Sequence, residues 1–320
     1  MHPAVRKVCR WSLCAAGLVV AWPGMSSAVN TGDIIVADRR ESGLIFVDHV
    51  TGAQHELSKG QPQGFGDVTT NAAGDVFAVS GSSSAVFKID TITGAQTLIT
   101  SVGFLSFPFS IDWAPDGQLY LSDSNGLIRV DPTSGAQTKV VNGSVQCFAV
   151  GGNNLGYIAL IDGPQFHIYS VDLTTGTTSK ISNTGLNAPM GLAADASGDV
   201  IVVNASVGGP YAILRIDPSS GATSTISSSG PIMRPWGVTL EADGTIVVTD
   251  YQNLISCTPA SGPSTCPGAL YRVDPTTGAQ TLITEKDLFH NVTGVDLYRG
   301  PSVPTPARRS SWGKLKATYR

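Results

Sequence analysis

Asp112 and Asp296 are the first candidates for chemistry in this sequence of 320 residues. Alignment of the internal repeats puts them at one equivalent strand position, so both carboxylates could face a shared central channel. They would repel each other there unless a cation, a water molecule or a shared proton came between them. A hard cation such as Ca²⁺ takes about six to eight oxygen ligands, whereas Asp readily accepts hydrogen bonds from nearby backbone amides. We favour the capping role, and a divalent cation such as Ca²⁺ stays the alternative.

A second group of candidates is mostly apolar and lies near the predicted mouth of the same channel. The aligned mouth position contains Gly66, Phe109, Phe148, Met190, Trp236 and Thr293. Polar residues just before it are Gln146, Arg234, His290 and Asn291. Apolar walls with a few convergent polar groups are typical of ligand sites, although such side chains could equally plug a packed interior. We expect ligand binding by Phe109, Phe148, Met190, Arg234, Trp236, His290 and Asn291.

The remaining reactive residue types do not form a catalytic pattern. There is no nucleophile elbow, zinc helix motif or phosphate loop, so no catalytic residue is predicted. Cys257 and Cys266 lie close together in a stretch rich in Ser, Pro and Gly, which favours a disulfide in an exported chain. Cys147 has apolar neighbours, and we expect it to be buried and inert.

A repeated motif, Val-Asp-x-x-Thr-Gly-Ala-Gln-Thr, reveals the elements that position these residues. Its glycines each lie four residues after an aspartate, with spacings of 42, 41, 41, 45 and 57 residues. The aspartates are Asp48, Asp90, Asp131, Asp172, Asp217 and Asp274, and the glycines are Gly52, Gly94, Gly135, Gly176, Gly221 and Gly278. Asp bonds locally to backbone amides and Gly adopts positive φ, so each copy predicts a hairpin turn.

A second motif alternates with the first and pairs two apolar strands around another glycine turn. Each period therefore supplies four short strands, which is one blade of a β-propeller. The sequence predicts an all-β fold with six four-stranded blades. Blade 1 lacks its first strand, and the segment 292–298 resembles that strand, so we expect it to complete blade 1 and close the ring.

The second motif ends each time in a polar or acidic residue. These strand ends are Asp38, Ser80, Asp123, Asp162, Asn204 and Asp250. One such residue per blade places the set on a wide circle, too wide to share one metal ion. We expect turn chemistry for them instead.

These patterns resemble the NHL-repeat and gluconolactonase-like (TolB-like) six-bladed propellers, with a distant likeness to virginiamycin B lyase-type propellers. The resemblance rests on the openings Pro189-Met190-Gly191 and Pro235-Trp236-Gly237, the turns Asp116-Gly117 and Asp243-Gly244, and the strand-end aspartates. Gluconolactonase-like relatives hold a divalent cation through Glu, Asn and Asp, and the lyases use strand-end glutamates with a His/Glu pair. Here Glu241 and two aspartates lack a matching asparagine, and His290 lacks its glutamate.

The ends of the chain differ from the repeats in composition. Residues 1–28 contain a basic start, a short apolar stretch and Ser26-Ser27-Ala28, as in a secretory signal. After the propeller of residues 29–300, residues 301–320 form a proline-containing linker and a basic tail. The formal charge is −4 for the whole chain, and residues 29–300 carry 12 basic and 24 acidic residues. An acidic body disfavours nucleic acid as a partner.

We therefore expect a secreted, periplasmic or cell-envelope protein that does not span a membrane after signal removal. A closed ring needs no partner for its stability, which favours a monomer. The favoured function is binding of a small molecule, a glycan or a protein at the aromatic channel mouth, beside an insertion at residues 251–268. The alternative is a metal-assisted hydrolase or lyase at the same place, so enzyme activity remains open, with binding preferred.

Overall fold

The computed structural model describes residues 28–40, 43–60, 64–205, 211–252 and 267–304. Within these ranges the chain forms six antiparallel sheets of four strands each and one two-stranded pair. Consecutive sheets pack side by side around a central channel, with one inner strand from each sheet lining it. The all-β, six-bladed architecture predicted from the repeats is confirmed.

In blades 2 to 6 the four strands follow each other in chain order from the channel outward, and the second to fourth strands of blade 1 do the same. Blade 1 contains β2 (Ile34–Asp38), β3 (Gly43–Val47) and β4 (Gln54–Lys59). Blade 2 contains β5 (Phe65–Thr70), β6 (Val76–Ser80), β7 (Ala85–Ile89) and β8 (Gln96–Ser101). Blade 3 contains β9 (Pro108–Trp113), β10 (Leu119–Asp123), β11 (Gly126–Val130) and β12 (Gln137–Asn142).

The second half of the ring repeats this order. Blade 4 contains β13 (Val145–Val150), β14 (Leu155–Asp162), β15 (Gln165–Asp172) and β16 (Thr178–Lys180). Blade 5 contains β17 (Ala188–Ala194), β18 (Val200–Ala205), β19 (Ala212–Ile216) and β20 (Thr223–Ser227). Blade 6 contains β21 (Pro235–Leu240), β22 (Ile246–Asp250), β23 (Ala269–Val273) and β24 (Gln280–Glu285).

The last inner strand closes the ring, as the missing first strand of blade 1 predicted. Strand β25 (Val292–Leu297) pairs antiparallel with β2, with Val295 opposite Val36 and Leu297 opposite Ile34. The sheet order is β25-β2-β3-β4, so the inner strand of blade 1 comes from the end of the propeller sequence. Outside the blades, β1 (Ala28–Val29) pairs with β26 (Val303–Pro304). The two ends of the described chain are thereby joined next to blade 1.

The repeated aspartates and glycines form one type of turn between the third and fourth strands of every blade. Each aspartate accepts hydrogen bonds from the backbone amides two and three residues later, as Asp131 does from Thr133 and Ser134. The motif glycines have φ between 70° and 73°, where a β-carbon is disfavoured. A β-carbon on Gly135 would also lie 2.5 Å from the Ile99 carbonyl oxygen. The turn therefore docks against the outer strand of the preceding blade.

The core lies between neighbouring blades. One buried cluster joins Phe77 and Val79 of blade 2 to Ile111, Leu119 and Leu121 of blade 3, and the other clusters join blades in the same manner. This packing accounts for strands such as β2, whose five residues are all buried. The stacked blades form the wall of the channel.

Blade 4 departs from the predicted alignment by two residues. Its inner turn is formed by Asn153 and Asn154, with φ of 56° and 62°, and Gly156 already lies within β14. Asn tolerates this left-handed conformation better than most residues, so the turn needs no glycine. In the observed register, Gln146 is equivalent to Phe109, and Phe148 is equivalent to Ile111.

Candidate functional site

The channel contains two cavities that lie one behind the other on the ring axis. The larger has a volume of about 170 Å³ and is lined by residues of all six inner strands. The smaller, of about 40 Å³, lies where those strands begin. We call this end of the ring the mouth face and the opposite end, which carries the Asp–Gly turns, the turn face. Gly66, Phe109, Met190 and Trp236 line both cavities and so form the constriction between them.

The constriction is apolar and supported by aromatic contacts. The Trp236 ring lies 5.1 Å from the Tyr251 ring, and the Phe109 ring lies 5.4 Å from the Phe107 ring. Such distances are favourable for aromatic pairs. The three predicted residues Phe109, Met190 and Trp236 are therefore brought together at the mouth, with Gln146 beside them in the smaller cavity.

Phe148 does not occupy the mouth position that its sequence alignment suggested. Because of the register of blade 4, it is only 4% exposed and its ring lies 5.9 Å from that of Tyr120. It contributes to the wall of the larger cavity and to the core between blades 3 and 4. Gln146 takes its place at the mouth, which makes that ring more polar than expected.

The predicted polar residues at the mouth are dispersed. The exposed Arg234 donates a hydrogen bond of 2.7 Å to the Gln252 side chain. His290 Nδ1 lies 3.0 Å from the Leu288 carbonyl oxygen, and the ring lines a side cleft with Asp38, Glu56 and Lys59. Neither these two nor Asn291 line the two axial cavities. The structure thus places them on the mouth face, around the constriction and not in it.

Asp112 and Asp296 lie further along the channel and both cap backbone amides. Asp112 accepts from the Trp113 and Val150 amides at 2.8 Å each. Asp296 accepts from Leu297 and Thr70, also at 2.8 Å. The Thr69 hydroxyl lies 3.3 Å from both carboxylates. This is the capping arrangement that the sequence favoured.

Two charged residues of the channel were missed by the sequence analysis. Arg299 donates a 2.6 Å hydrogen bond to Asp296 Oδ2 and lines the larger cavity. Asp67 lines it too, and its carboxylate accepts from the Val68 and Ile111 amides. A signal for Asp67 existed, because the equivalent residues of the other blades are small: Ser110, Cys147, Gly191, Gly237 and Gly294.

Burial makes two of these carboxyl groups weaker acids than an ordinary aspartate. Desolvation raises the pKa of Asp67 well above its ordinary value, and the nearby charges of Asp112 and Asp296 add to the effect. Desolvation, with the neighbouring charge of Asp296, raises the pKa of Asp112 to about 6. The larger cavity is therefore a polar chamber whose charge depends on pH, behind an apolar constriction.

The three channel carboxylates accept backbone amides, and Glu241 is also engaged in an internal contact. Glu241 forms a two-pronged ion pair with Arg272, with distances of 2.7 Å and 2.9 Å from Oε1. In the described part of the chain, no three His, Cys, Asp or Glu residues form a group suited to a metal ion.

The strand-end residues hold the connections that enter the inner strands. Asp38 Oδ2 accepts from the His290 and Asn291 amides, Asp123 Oδ2 from Ser106 and Phe107, and Asp250 from Met233 and Arg234. Asp162 does not belong to this set, since blade 4 is shifted and its carboxylate forms a 2.8 Å salt bridge with Lys180. The structural role predicted for the strand ends is observed at Asp38, Asp123, Asn204 and Asp250, and the prediction is wrong for Asp162.

Several predicted features lie outside the described residues. These are the pair Cys257 and Cys266, nearly all of the insertion at 251–268, most of the signal segment 1–28, and the basic part of the tail 301–320. Cys147 is described and is buried with a free thiol, whose pKa burial raises. No helix in the described ranges is long and apolar enough to span a membrane.

No family model matches this chain, and no curated protein matches it. Among solved structures, 1022 chains match it. A chain of the nidogen/laminin complex is 12% identical with a TM-score of 0.65, over 83% of this chain and 98% of that chain. TolB from Acinetobacter baumannii is 16% identical with a TM-score of 0.63, over 86% of this chain and 67% of that chain.

At these identities the likeness concerns the fold alone. The chain has the six-bladed β-propeller fold, and both of these structures share that likeness. Because a fold shared so widely hosts many functions, activity must be argued from the site. The NHL-repeat resemblance stays a prediction.

Proposed function

We propose that this protein is an exported binding module whose ligand enters the channel at the mouth face. The observation that carries the proposal is the apolar constriction of Phe109, Met190 and Trp236 in front of a cavity of about 170 Å³. Ligand sites are concave and largely apolar, with few polar groups that fix orientation. Gln146 at the mouth and the carboxylates behind the constriction are the polar groups available here.

Binding is favoured over catalysis because the inner carboxylates have structural tasks. Each of Asp67, Asp112 and Asp296 accepts backbone amides from its own strand and from the next blade. Moving such a group to a substrate or a metal would leave buried amides without a partner, which is costly. A binding role asks only that the cavity be shaped and accessible, so we do not propose the hydrolase or lyase alternative.

The constriction suits a ligand with an apolar part and at least one hydrogen-bonding group. Small molecules, glycans with an exposed apolar face and peptide side chains satisfy this description. A chain with this fold occurs in the nidogen/laminin complex, which is compatible with a protein as the partner. The basic and apolar stretches of residues 1–28 support export as the setting, and the closed ring supports a monomer.

Substitution at the constriction tests the proposal. The full chain and its Trp236→Ala and Met190→Ala variants are applied to arrays of glycans and of random 12-residue peptides. We expect at least one ligand class to bind the parent protein and to lose tenfold or more of its affinity in either variant. Leu282→Ala is the matched control, since Leu282 is an exposed apolar residue of outer strand β24. The proposal fails if no array element binds, or if all binding survives both substitutions.

A further inference from the structure

Exposed apolar side chains are concentrated in one connection of the mouth face. Residues 102–107 link the outer strand of blade 2 to the inner strand of blade 3. Val102, Phe104 and Phe107 in this connection are 65%, 45% and 37% exposed. Single exposed apolar residues are common, but a contiguous group often marks an interaction site. We call these three side chains the 102–107 patch.

The equivalent connection between blades 6 and 1 shows that the fold does not require this patch. The amide of Phe289 bonds to the Lys286 carbonyl oxygen, just as that of Leu105 bonds to Val102. Lys286 thus occupies the place of Val102 with the same left-handed backbone. Leu288, which replaces Phe104, packs against a buried cluster, and Asn291 replaces Phe107. The same turn geometry therefore accommodates an apolar or a polar surface. Of these two connections, only residues 102–107 present an exposed apolar surface.

The connection is held firmly although its side chains face solvent. Asp123 Oδ2 accepts from the Ser106 and Phe107 amides at 3.0 Å each. The Phe104 amide donates to Gln137 Oε1 at 2.7 Å, and Asn125 Nδ2 donates to the Phe104 carbonyl oxygen at 3.1 Å. These contacts fix the display of the patch before any partner arrives, which lowers the entropic cost of binding.

Val102 adds an independent sign of function because its backbone is strained. Its φ is 51°, a conformation that is an outlier for a β-branched residue. Residues in such conformations cluster at binding and switch sites. A strained, largely exposed valine contributes little to folding, so its apolar side chain is better explained by a surface contact.

Among the charged side chains that the structure describes, those nearest the rings of the patch are cations. The Arg39 guanidinium lies 5.9 Å from the centre of the Phe107 ring, and Lys139 Nζ lies 5.6 Å from that of Phe104. The nearby carboxylate of Asp123 is fully buried and occupied by backbone amides. Within the described residues, neither Arg39 nor Lys139 forms a salt bridge. An apolar surface between two cations complements an apolar segment that carries carboxylates.

We propose that the 102–107 patch is a docking surface for an acidic, apolar peptide segment of a partner protein. Aliphatic or aromatic side chains of that segment contact Phe104, Phe107 and Val102, and its Asp or Glu side chains pair with Arg39 and Lys139. The patch adjoins the channel, because Arg39 and Phe107 also line the smaller cavity. Val102, Phe104 and Lys139 line neither cavity, so variants of these three residues test the patch without changing the channel walls.

Selection from a random library of 12-residue peptides on the full chain tests this docking surface. We expect enriched peptides to combine Leu, Ile, Phe or Trp with two or more Asp or Glu residues. Their affinity should fall tenfold or more in Phe104→Ser and severalfold in Lys139→Glu, two variants that leave the lining of both cavities unchanged. Val102→Gly should weaken binding severalfold while keeping the fold, because glycine suits the left-handed backbone. Leu98→Ser, at an exposed position on β8, is the control and should bind like the parent.

The outcomes separate this inference from the proposed function. Loss of peptide binding in the patch variants, with Trp236→Ala unaffected, supports the docking surface alone. Peptides that depend on Trp236 and not on the patch overturn this inference and leave the channel proposal standing. Failure to enrich any peptide, or enrichment of peptides without acidic residues, also overturns the inference. Salt screens the attraction between opposite charges, so the peptide affinity should fall as the salt concentration rises. A peptide affinity that rises with salt concentration would also overturn the inference.

Discussion

Asp250 illustrates how burial tunes a single residue in this protein. It is fully buried at the end of β22, and desolvation raises its pKa to about 6. A carboxyl whose pKa is raised by folding stabilises the protein fully below its unfolded pKa of 3.8 and loses that effect as the pH rises through about 6. The six turn aspartates act in the opposite direction, because hydrogen bonds lower their pKa values. Their contribution is lost only as the pH falls below about 4.

Asp250→Asn should therefore flatten the dependence of stability on pH. In the parent, acidification from pH 7 to pH 4.5 should raise the free energy of unfolding, with about 2 kcal/mol coming from Asp250. The asparagine stays neutral throughout, as Asn204 does at the equivalent place in blade 5, where it accepts the Ala188 amide. Denaturant unfolding at several pH values measures the slope. Asp162→Asn, at an exposed carboxylate, should leave the slope between pH 5 and 7 unchanged. An unchanged slope in Asp250→Asn would refute this assignment.

Val102→Gly should stabilise the protein. Glycine removes the steric cost of a left-handed valine, about 1–2 kcal/mol, and adds a smaller entropic cost of roughly 0.5–1 kcal/mol. The net gain in the free energy of unfolding should be about 0.5–1 kcal/mol, measured from denaturant unfolding curves. Val50→Gly is the control, since Val50 is 77% exposed with no positive φ, and it should lose stability. A less stable Val102→Gly protein would show that the valine side chain contributes to folding.

At the scale of elements, the Asp–Gly turn is the contact that joins each blade to the one before it. Gly135 combines a φ of 71° with a β-carbon position only 2.5 Å from the Ile99 carbonyl oxygen. Gly117, in the turn between β9 and β10, has a φ of 80° but open space around it. Both positions therefore require a residue that tolerates positive φ, but only Gly135 also requires the absence of a β-carbon for packing.

Gly135→Ala should destabilise the protein by about 2–4 kcal/mol, since backbone strain and a clash with backbone both act. Gly117→Ala should cost only about 1 kcal/mol, because strain acts there alone. Denaturant unfolding of the two variants gives the comparison. Equal losses would mean that the interblade docking of the turn contributes no stability.

The repeat made most elements predictable, and blade 4 shows where alignment of the repeats by their turn glycines fails. Asp and Gly occur in every copy because hydrogen bonding and positive φ dictate them, so strand order and ring closure followed from the sequence. Asn153 and Asn154 replace the glycine in the inner turn of blade 4, and Gly156 lies nearby as a false marker. A pattern of residue types cannot distinguish two solutions to the same backbone requirement. The consequences were the misplacement of Phe148 and Asp162.

At the scale of the whole molecule, the two ends of the ring differ in chemistry. The six turn aspartates all lie on the turn face, since the turn occurs between the same two strands in every blade. The mouth face instead presents the constriction of Phe109, Met190 and Trp236 and the 102–107 patch. The repeat thus produces an acidic, polar face and leaves the other face free for apolar binding residues.

The candidate site could be predicted only where its residues follow the repeat. Met190 and Trp236 lie at one position of regular blades and were found. Arg234 and His290 are set by connections between blades, whose paths depend on side-chain contacts such as those to Gln252 and Leu288. Arg299 follows the last strand and belongs to no repeat, so nothing in the pattern marked its contact with Asp296.

The most direct test of the channel-mouth proposal observes Trp236 while ligands are added. The full chain labelled with 5-fluorotryptophan gives separate ¹⁹F signals, and Trp236→Phe identifies the one of interest. Trp113, stacked on Phe77 at 5.4 Å and remote from the mouth, is the internal reference. Ligands from the glycan and peptide arrays that depend on the constriction should shift the Trp236 signal to saturation and leave that of Trp113 unmoved. Ligands that bind and leave the Trp236 signal unchanged would contradict the proposal.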